Sequence, residues 1–238
     1  MRDILAYLEE REAEFARHMK VARILEARVS DGETEENQRI EIRHINTVKS
    51  GLVIHLYNIV EAVTTRTLRE IGLTIIADQP KRWTAQILKE WVRGEIWSGE
   101  ERIGEGALTR LTNVSHALVS GRSPPAFLIK GEPGSWDDTA IKKVADRLGC
   151  SLSLSPDIRR AAYERSYRND TTAMGYLAQR RNDIAHGSTT FEEGVHDLTL
   201  NELSNLSEKV ISYLRAVTES YQTFLDSKAY LGTENATS

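Results

Sequence analysis

The most apolar stretch of the chain, residues 51–63, reads Gly51-Leu52-Val53-Ile54-His55-Leu56-Tyr57-Asn58-Ile59-Val60-Glu61-Ala62-Val63. At 100° per residue, the apolar side chains of this stretch cover most of the circumference of an α-helix. The helical pattern begins near Ile40 and continues to Ile71, and Gly72 follows where a C-terminal cap belongs. The sequence therefore predicts a long, buried central helix in which two polar residues, Asn58 and Glu61, are embedded one turn apart.

A second long helix is predicted near the C-terminus. Thr199 and Glu202 are spaced as in a capping box, which marks the start of a helix. Apolar residues then recur at three- and four-residue steps, namely Leu203, Leu206, Val210, Leu214, Val217, Tyr221 and Leu225. This pattern predicts one amphipathic helix that reaches about Leu231. A similar pattern between Ile4 and Val29 predicts an amphipathic surface helix at the N-terminus.

The remaining segments predict shorter helices and no β-structure. Residues 84–92 have helical spacing, whereas Pro124 and Pro125 mark a loop, so the region 74–133 is interpreted as short helices and connections. Two more helices are predicted before Gly149 and before Gly187, where each glycine can cap a C-terminus. The prediction is a single all-α domain over residues 1–231, a helical bundle in which two long helices supply most of the core, followed by a disordered tail, residues 232–238.

Composition and charge exclude several classes of protein. The chain has 238 residues, 40% of them hydrophobic, which is enough for a sizeable core without disulfides or structural metals. Its one cysteine, Cys150, excludes an internal disulfide and a Cys-rich zinc site. Early charges at the N-terminus and the lack of any run of ~20 apolar residues predict a cytoplasmic protein without a membrane partner. The net charge of −4 argues against coating nucleic acid with the whole surface, and it leaves room for one local basic site.

The one cluster with chemical content is Leu177-Ala178-Gln179-Arg180-Arg181-Asn182-Asp183-Ile184-Ala185-His186-Gly187. On a helical projection Arg181 falls within roughly 40–60° of the apolar stripe, so its guanidinium points toward the packed face. An unpaired buried charge is too costly to retain. Glu61 on the central helix is the obvious partner, and Asn58 is able to satisfy further donors. Asn182 and His186 lie one turn apart on a shared face, where the amide can orient the imidazole.

These residue types are the ones that RNA cleavage without a metal ion requires. An arginine can hold and neutralise the scissile phosphate, and a histidine can move a proton as the ribose 2′-OH attacks. His44 and His55, eleven positions apart, share one helix face as a metal pair does. No carboxylate completes such a site, so packing is favoured there, and neither a metal nor a cofactor is predicted.

The string Arg181-Asn182-Asp183-Ile184-Ala185-His186 resembles the R-N-x-x-x-H signature of the HEPN superfamily (higher eukaryotes and prokaryotes nucleotide-binding), an all-α fold with many ribonucleases. Residues 56–62 of the central helix and the capped C-terminal helix extend the resemblance, which covers about Ile40 to Leu231 with the region 74–133 unplaced. The similarity is to a bacterial HEPN branch that is found beside toxin–antitoxin and defence genes.

The resemblance implies a metal-independent endoribonuclease, acting as a toxin or an anti-phage defence effector. It implies Arg181 and His186 as the catalytic pair and Asn182 as the residue that orients them, with Glu61 and Asn58 in support. It also implies an RNA substrate, a homodimer and an antitoxin protein as a further partner. Arg181 and His186 point roughly 140° apart on an ideal helix. The composite cleft of a two-fold dimer, as in HEPN ribonucleases, suits that divergence.

Arg180 is the candidate RNA-binding residue. Together with four upstream arginines it can form a positive rim for phosphates, namely Arg159, Arg160, Arg165 and Arg168. The alternative is a solvated helix face, because acidic residues are interleaved with these arginines.

Two other functions stay open from the sequence. A non-catalytic HEPN module can bind a nucleotide or a partner protein through the same cleft, with Arg181 only anchoring Glu61 and His186 only capping a helix. The resemblance also permits a chain that is itself the target of a nucleotidyltransferase, acting on Tyr176 or another tyrosine near the motif.

Overall fold

The computed structural model describes residues 1–31, 40–96, 104–121, 126–130 and 135–232. Within these ranges the chain forms eight α-helices and no β-strand, which confirms the all-α prediction. The helices are α1 (Arg2–Asp31), α2 (Ile42–Ile76), α3 (Ala85–Ile96), α4 (Glu105–Val119), α5 (Asp138–Leu148), α6 (Pro156–Tyr163), α7 (Ala173–Ala185) and α8 (Leu200–Asp226). Two 3₁₀ turns, Pro80–Arg82 and Arg168–Asp170, precede α3 and α7.

Three long helices, α1, α2 and α8, pack against one another around a shared hydrophobic core. The buried residues of α2 cover about half of the helix circumference. Gly51, Asn58 and Thr65 lie on the opposite side, and all three are exposed. Asn58 is therefore not embedded as the sequence predicted, because the apolar residues around it are gathered on the other half of the helix.

The C-terminal end of α2 also differs from the prediction. The helix does not end at Gly72 but continues to Ile76, with Ala77 as its C-cap. A Cβ atom at position 72 would clash with the carbonyl oxygen of Phe127. The glycine therefore allows the segment 126–130 to approach the helix backbone closely, and the Phe127 ring then packs edge-on against Trp83.

The long C-terminal helix starts where the sequence predicts and ends earlier than predicted. Thr199 and Glu202 form the capping box at the start of α8, and the helix ends at Asp226 rather than near Leu231. Beyond it the chain turns back, and the Tyr230 hydroxyl donates to Oδ2 of Asp78 at 2.8 Å. This hydrogen bond holds the end of the described chain beside the segment that connects α2 to α3.

The helix α7 is held at both ends and packs against α2, α6 and α8. The Thr172 side chain caps its N-terminus by accepting from the backbone N–H of Gly175, and its hydroxyl donates to Asp138. Gly187 follows the C-terminus with a φ of 72°, the left-handed conformation that favours glycine. Both ends of α7 are therefore defined by residues that favour a helix end.

The region 74–133 contains the end of α2 and the helices α3 and α4. Glu90 of α3 is buried, and Nη2 of Arg147 in α5 donates to it at 2.8 Å.

Residues 233–238, which make up nearly all of the predicted tail, lie outside the described residues. None of the helices in the described part of the chain combines the length and the apolar character that a membrane span needs.

Candidate active site

The C-terminal half of α7 lies against α2 and brings Arg181 to Glu61. Nη2 of Arg181 donates a hydrogen bond to Oε1 of Glu61, the partner that the helical projection indicated. The guanidinium also lies over the ring of Tyr57, with Cζ 4.3 Å from the ring centroid. The Arg181 side chain keeps 23% of its surface exposed, so its charge is held in place while it still reaches solvent.

The Asn182 side chain contacts Arg181. Its Oδ1 accepts from Nη1 of Arg181 at 2.9 Å, and its Nδ2 donates to Oγ of Ser135 at 2.7 Å. The amide therefore links Arg181 to the loop residue Ser135, and no hydrogen bond joins its side chain to the His186 imidazole in the described part of the chain. A role of Asn182 in orienting His186 stays a prediction.

His186 is the C-cap residue of α7, and its side chain is exposed. Five positions of helix separate it from Arg181, which corresponds to a rise of about 7.5 Å and a rotation of about 140°. Arg181 faces α2, whereas the imidazole of His186 is presented to solvent. These different surroundings are compatible with the divergence of the two side chains that the helix spacing predicts.

Asn58 does not join the site in the predicted way. It is exposed on α2, and the hydrogen bonds of the Arg181 guanidinium within the described residues go to Glu61 and Asn182. The sequence reasoning missed Tyr57 and Ser135. Tyr57 lies one turn before Glu61, which was an available signal for a ring beneath the arginine. Nothing in the sequence marks Ser135, because only the packing of its loop brings it to α7.

Tyr57 also ties the site to the loop before α5. The tyrosine is fully buried, and its hydroxyl accepts a hydrogen bond from the backbone N–H of Trp136 at 2.8 Å. The neighbouring Ser135 receives the hydrogen bond from Asn182. Two adjacent loop residues therefore hydrogen-bond two of the three side chains that contact the Arg181 guanidinium, Tyr57 and Asn182.

Arg180, the candidate RNA-binding residue, is held within the protein. Its Nη2 donates to Oδ2 of Asp197 at 2.9 Å, and its guanidinium lies 5.0 Å from the ring centroid of Tyr176. Only 14% of its side chain is exposed. Contact with RNA requires this pairing to open, so an RNA-binding role of Arg180 stays a prediction.

The upstream arginines have acidic neighbours. The pairs are Arg160 with Asp157 at 3.6 Å, Arg165 with Asp170 at 3.5 Å and Arg168 with Asp197 at 3.0 Å. All three arginine side chains are mostly exposed. This arrangement favours the solvated face of mixed charge over a continuous positive rim.

Tyr176 is buried, and its hydroxyl donates to Oδ2 of Asp197 at 3.4 Å. Burial raises the pKa of the Tyr176 hydroxyl above its ordinary value. In this conformation the hydroxyl is not presented to a modifying enzyme. The structure therefore does not favour Tyr176 as the target of a nucleotidyltransferase.

A family model described as HEPN_MAE_28990-like HEPN matches residues 3–230. The chain belongs to this HEPN family. The match confirms the resemblance that rests on residues 181–186, and it extends to α1 and to the region 74–133, which the resemblance left unplaced. No curated protein and no solved structure matches the chain significantly.

In this HEPN protein the R-N-x-x-x-H motif occupies the last turns of α7 and its C-cap. Arg181 offers an oriented cation, and His186 offers an exposed imidazole that can carry a proton. Such a pair can bind and polarise a phosphate group and move a proton at it. The arrangement suits chemistry or recognition at a phosphodiester.

Proposed function

We propose that this HEPN protein is a metal-independent endoribonuclease that cleaves RNA at a composite site of a homodimer. The observation that carries the proposal is the state of the motif: Arg181 is oriented by Glu61, Tyr57 and Asn182, while His186 is exposed at the end of the same helix. Membership of the HEPN family supports a nuclease, because the superfamily includes many ribonucleases.

In the proposed reaction Arg181 binds the scissile phosphate. A guanidinium has five N–H donors, and two of them are used by Glu61 and Asn182, which leaves three for phosphate oxygens. The ribose 2′-OH attacks phosphorus and the P–O5′ bond breaks, which yields a 2′,3′-cyclic phosphate and a 5′-hydroxyl end. His186 transfers the proton that leaves the attacking 2′-OH to the leaving O5′ oxygen, and the guanidinium stabilises the negative charge that develops on the phosphate oxygens.

The proposal of a dimer rests on the divergence of Arg181 and His186 that their spacing on one helix predicts. A two-fold axis beside α7 allows His186 of one protomer to approach the phosphate that is bound by the partner's Arg181. The open side of α2, with Gly51, Asn58 and Thr65, and the exposed Gln179 of α7 leave surface for such a contact. We therefore assign the catalytic unit to the dimer.

The biological role that we propose is a toxin or an anti-phage defence effector that acts on RNA in the cytoplasm and is restrained by an antitoxin protein. This part rests on the similarity to the bacterial HEPN branch beside such genes. Expression of the wild-type chain alone should then arrest growth. Expression of His186→Ala should not, at an equal level of folded protein.

The proposed activity is tested by incubating purified protein in EDTA with single-stranded and structured RNA. The wild type, Arg181→Ala and His186→Ala are compared, and the dimer state of each is measured by light scattering. Only the wild type should cleave, and its products should carry 2′,3′-cyclic phosphate ends. His196→Ala, which removes an exposed histidine outside the motif, is the matched control and should cleave like the wild type. Cleavage by His186→Ala at the wild-type rate would overturn the proposal.

A second function is favoured by the pairing of Arg181 with Glu61. An arginine that is held by a carboxylate, an amide and a ring can serve as a fixed element of a binding cleft without chemistry. The alternative is thus a non-catalytic HEPN module that binds a nucleotide or a partner protein. A rise in Tm with a nucleotide, in the absence of any RNA cleavage by folded dimers, would support this alternative.

A further inference from the structure

Two histidines from different helices face each other outside the candidate active site. Nδ1 of His18 in α1 lies 3.2 Å from Nδ1 of His55 in α2. His18 is exposed and His55 is partly buried. The sequence had grouped His55 with His44, but Nδ1 of His44 accepts the backbone N–H of Glu41 and belongs to the N-terminal cap of α2.

Glu14 of α1 lies beside the other ring nitrogen of His55. Its Oε2 is 3.6 Å from Nε2 of His55, and the same oxygen lies 2.7 Å from Nη1 of Arg11. An imidazole binds a metal ion through the lone pair of a ring nitrogen, and the nitrogens of His18 and His55 that face each other are the two Nδ1 atoms.

The separation of the two Nδ1 atoms matches two ligands of one metal ion. Bonds of about 2.0–2.1 Å at a tetrahedral angle place two nitrogen ligands of Zn²⁺ about 3.3 Å apart. The observed 3.2 Å is close to that value. Without a metal the same separation is a hydrogen bond donated by one ring. The exposed Nε2 of His18 can carry that proton when a metal replaces it.

The neighbouring charges and contacts are compatible with a cation. Arg11 lies on the same helix as His18, and it is paired with Glu10 at 2.9 Å and with Glu14 at 2.7 Å. The Phe15 ring packs against the His55 ring with centroids 5.8 Å apart, which restricts the orientation of that imidazole. His55 is therefore fixed, and the exposed His18 is free to adjust to a ligand geometry.

We propose that Nδ1 of His18 and Nδ1 of His55 bind one late first-row transition metal ion, with Zn²⁺, Ni²⁺ and Cu²⁺ as the candidate ions. Imidazole nitrogen suits these ions, whereas Mg²⁺ prefers oxygen ligands. In the described ranges no group of three or more His, Cys, Asp and Glu side chains is arranged for a metal. The site thus has two protein ligands, and water completes the coordination. The metal links α1 to α2, and it is separate from the proposed RNA cleavage, which uses none.

The test is thermal unfolding and isothermal titration with zinc chloride, using metal-free wild-type protein at pH 7.5. At a zinc concentration about 100 times the Kd, Tm should rise by about 5 °C or more. The titration should show one zinc ion per chain. Magnesium chloride should leave Tm unchanged, and EDTA should reverse the zinc effect.

The variants His18→Gln and His55→Gln identify the ligands. The Tm of each variant is measured with and without zinc, so that any effect of the substitution on stability alone cancels in the difference. Both should lose the Tm shift and should weaken zinc binding at least about tenfold. His196→Gln and His186→Gln are the controls for other exposed histidines, and both should keep the full shift. A zinc effect that persists in His18→Gln, or that is lost in a control variant, would overturn the assignment. If His55→Gln does not fold, the exposed His18 position still decides the outcome.

Discussion

Arg181 on α7 donates a hydrogen bond to Glu61 on α2, which joins two helices at positions 120 residues apart in the sequence. Both side chains keep solvent contact, with exposed fractions of 23% for Arg181 and 39% for Glu61. A pair in that environment stabilises the fold by at most about 1 kcal/mol. Its main effect is to hold the guanidinium in one orientation, which is the property that a phosphate-binding group needs.

Glu61 is expected to act through the position of Arg181. Glu61→Ala should lower kcat for RNA cleavage by about 100-fold, because a misplaced guanidinium stabilises the transition state poorly. Glu61→Gln keeps an acceptor oxygen and should lose less activity. Activity is measured as single-turnover cleavage in EDTA, and stability as urea unfolding.

The control for loss of a carboxylate on the same helix is Glu70→Ala, which should cleave like the wild type. If Glu61→Ala unfolds at a clearly lower urea concentration than the wild type, the effect of position 61 on cleavage is judged from Glu61→Gln instead. Equal cleavage by both Glu61 variants and the wild type would show that the pairing does not position Arg181.

Ser135 is expected to matter through Asn182. Removing its hydroxyl in Ser135→Ala leaves Nδ2 of Asn182 without that acceptor, so the amide no longer holds a fixed orientation toward Arg181. Cleavage should fall about tenfold in kcat with KM for RNA little changed, because the phosphate is still bound but less well oriented. Ser151→Ala removes an exposed serine elsewhere and should behave as the wild type. An unchanged kcat in Ser135→Ala would show that the loop does not position Arg181 through Asn182.

Two glycines of α2 should respond to alanine in opposite directions. In Gly72→Ala the new Cβ meets the Phe127 carbonyl oxygen, so the free energy of unfolding should fall by about 1–3 kcal/mol. At Gly51 no atom lies within 4 Å of a Cβ, and Gly51→Ala should raise stability by about 1 kcal/mol because alanine favours the helix. Urea unfolding of the two variants measures both effects. Equal effects at the two positions would contradict the close approach of Phe127 to α2.

The capping box of α8 predicts a pH dependence. Hydrogen bonds from Thr199 hold the pKa of the Glu202 carboxyl below its usual range. A carboxyl whose pKa is lowered by folding adds stability above its unfolded pKa and loses that contribution as the pH falls through the folded pKa. Thr199→Ala should therefore lower the free energy of unfolding by about 1 kcal/mol at pH 7. The difference from the wild type should shrink below about pH 4.

The matched variant is Thr223→Ala, which changes an exposed threonine inside the same helix. It should leave stability unchanged or slightly raised, since alanine is the better helix former. Urea unfolding between pH 3 and pH 7 separates the two variants. A Thr199→Ala penalty that stays constant over this range would argue against the role of Glu202.

The local structure of this protein could largely be predicted from its sequence. Three- and four-residue spacing of apolar residues predicted the long helices, and capping residues such as Thr199 predicted where one begins. Both signals are local, because helix periodicity and the hydrogen bonds that cap a helix end involve only a short segment of the chain. The motif from Arg181 to His186 and the divergence of those two side chains were likewise set by helix geometry. Even the pairing with Glu61 could be predicted, since a charge on a packed face requires a partner.

Which segments meet could not be predicted from local patterns, because it depends on how the helices and loops pack together. The contact of Asn182 with Ser135, the approach of Phe127 to Gly72 and the pairing of His18 with His55 join positions from different elements. Periodicity states which face of a helix is buried, but it does not state which neighbour covers that face or at what register. For this reason the sequence did not show that Phe127 lies over Gly72, or that Ser135 accepts a hydrogen bond from Asn182.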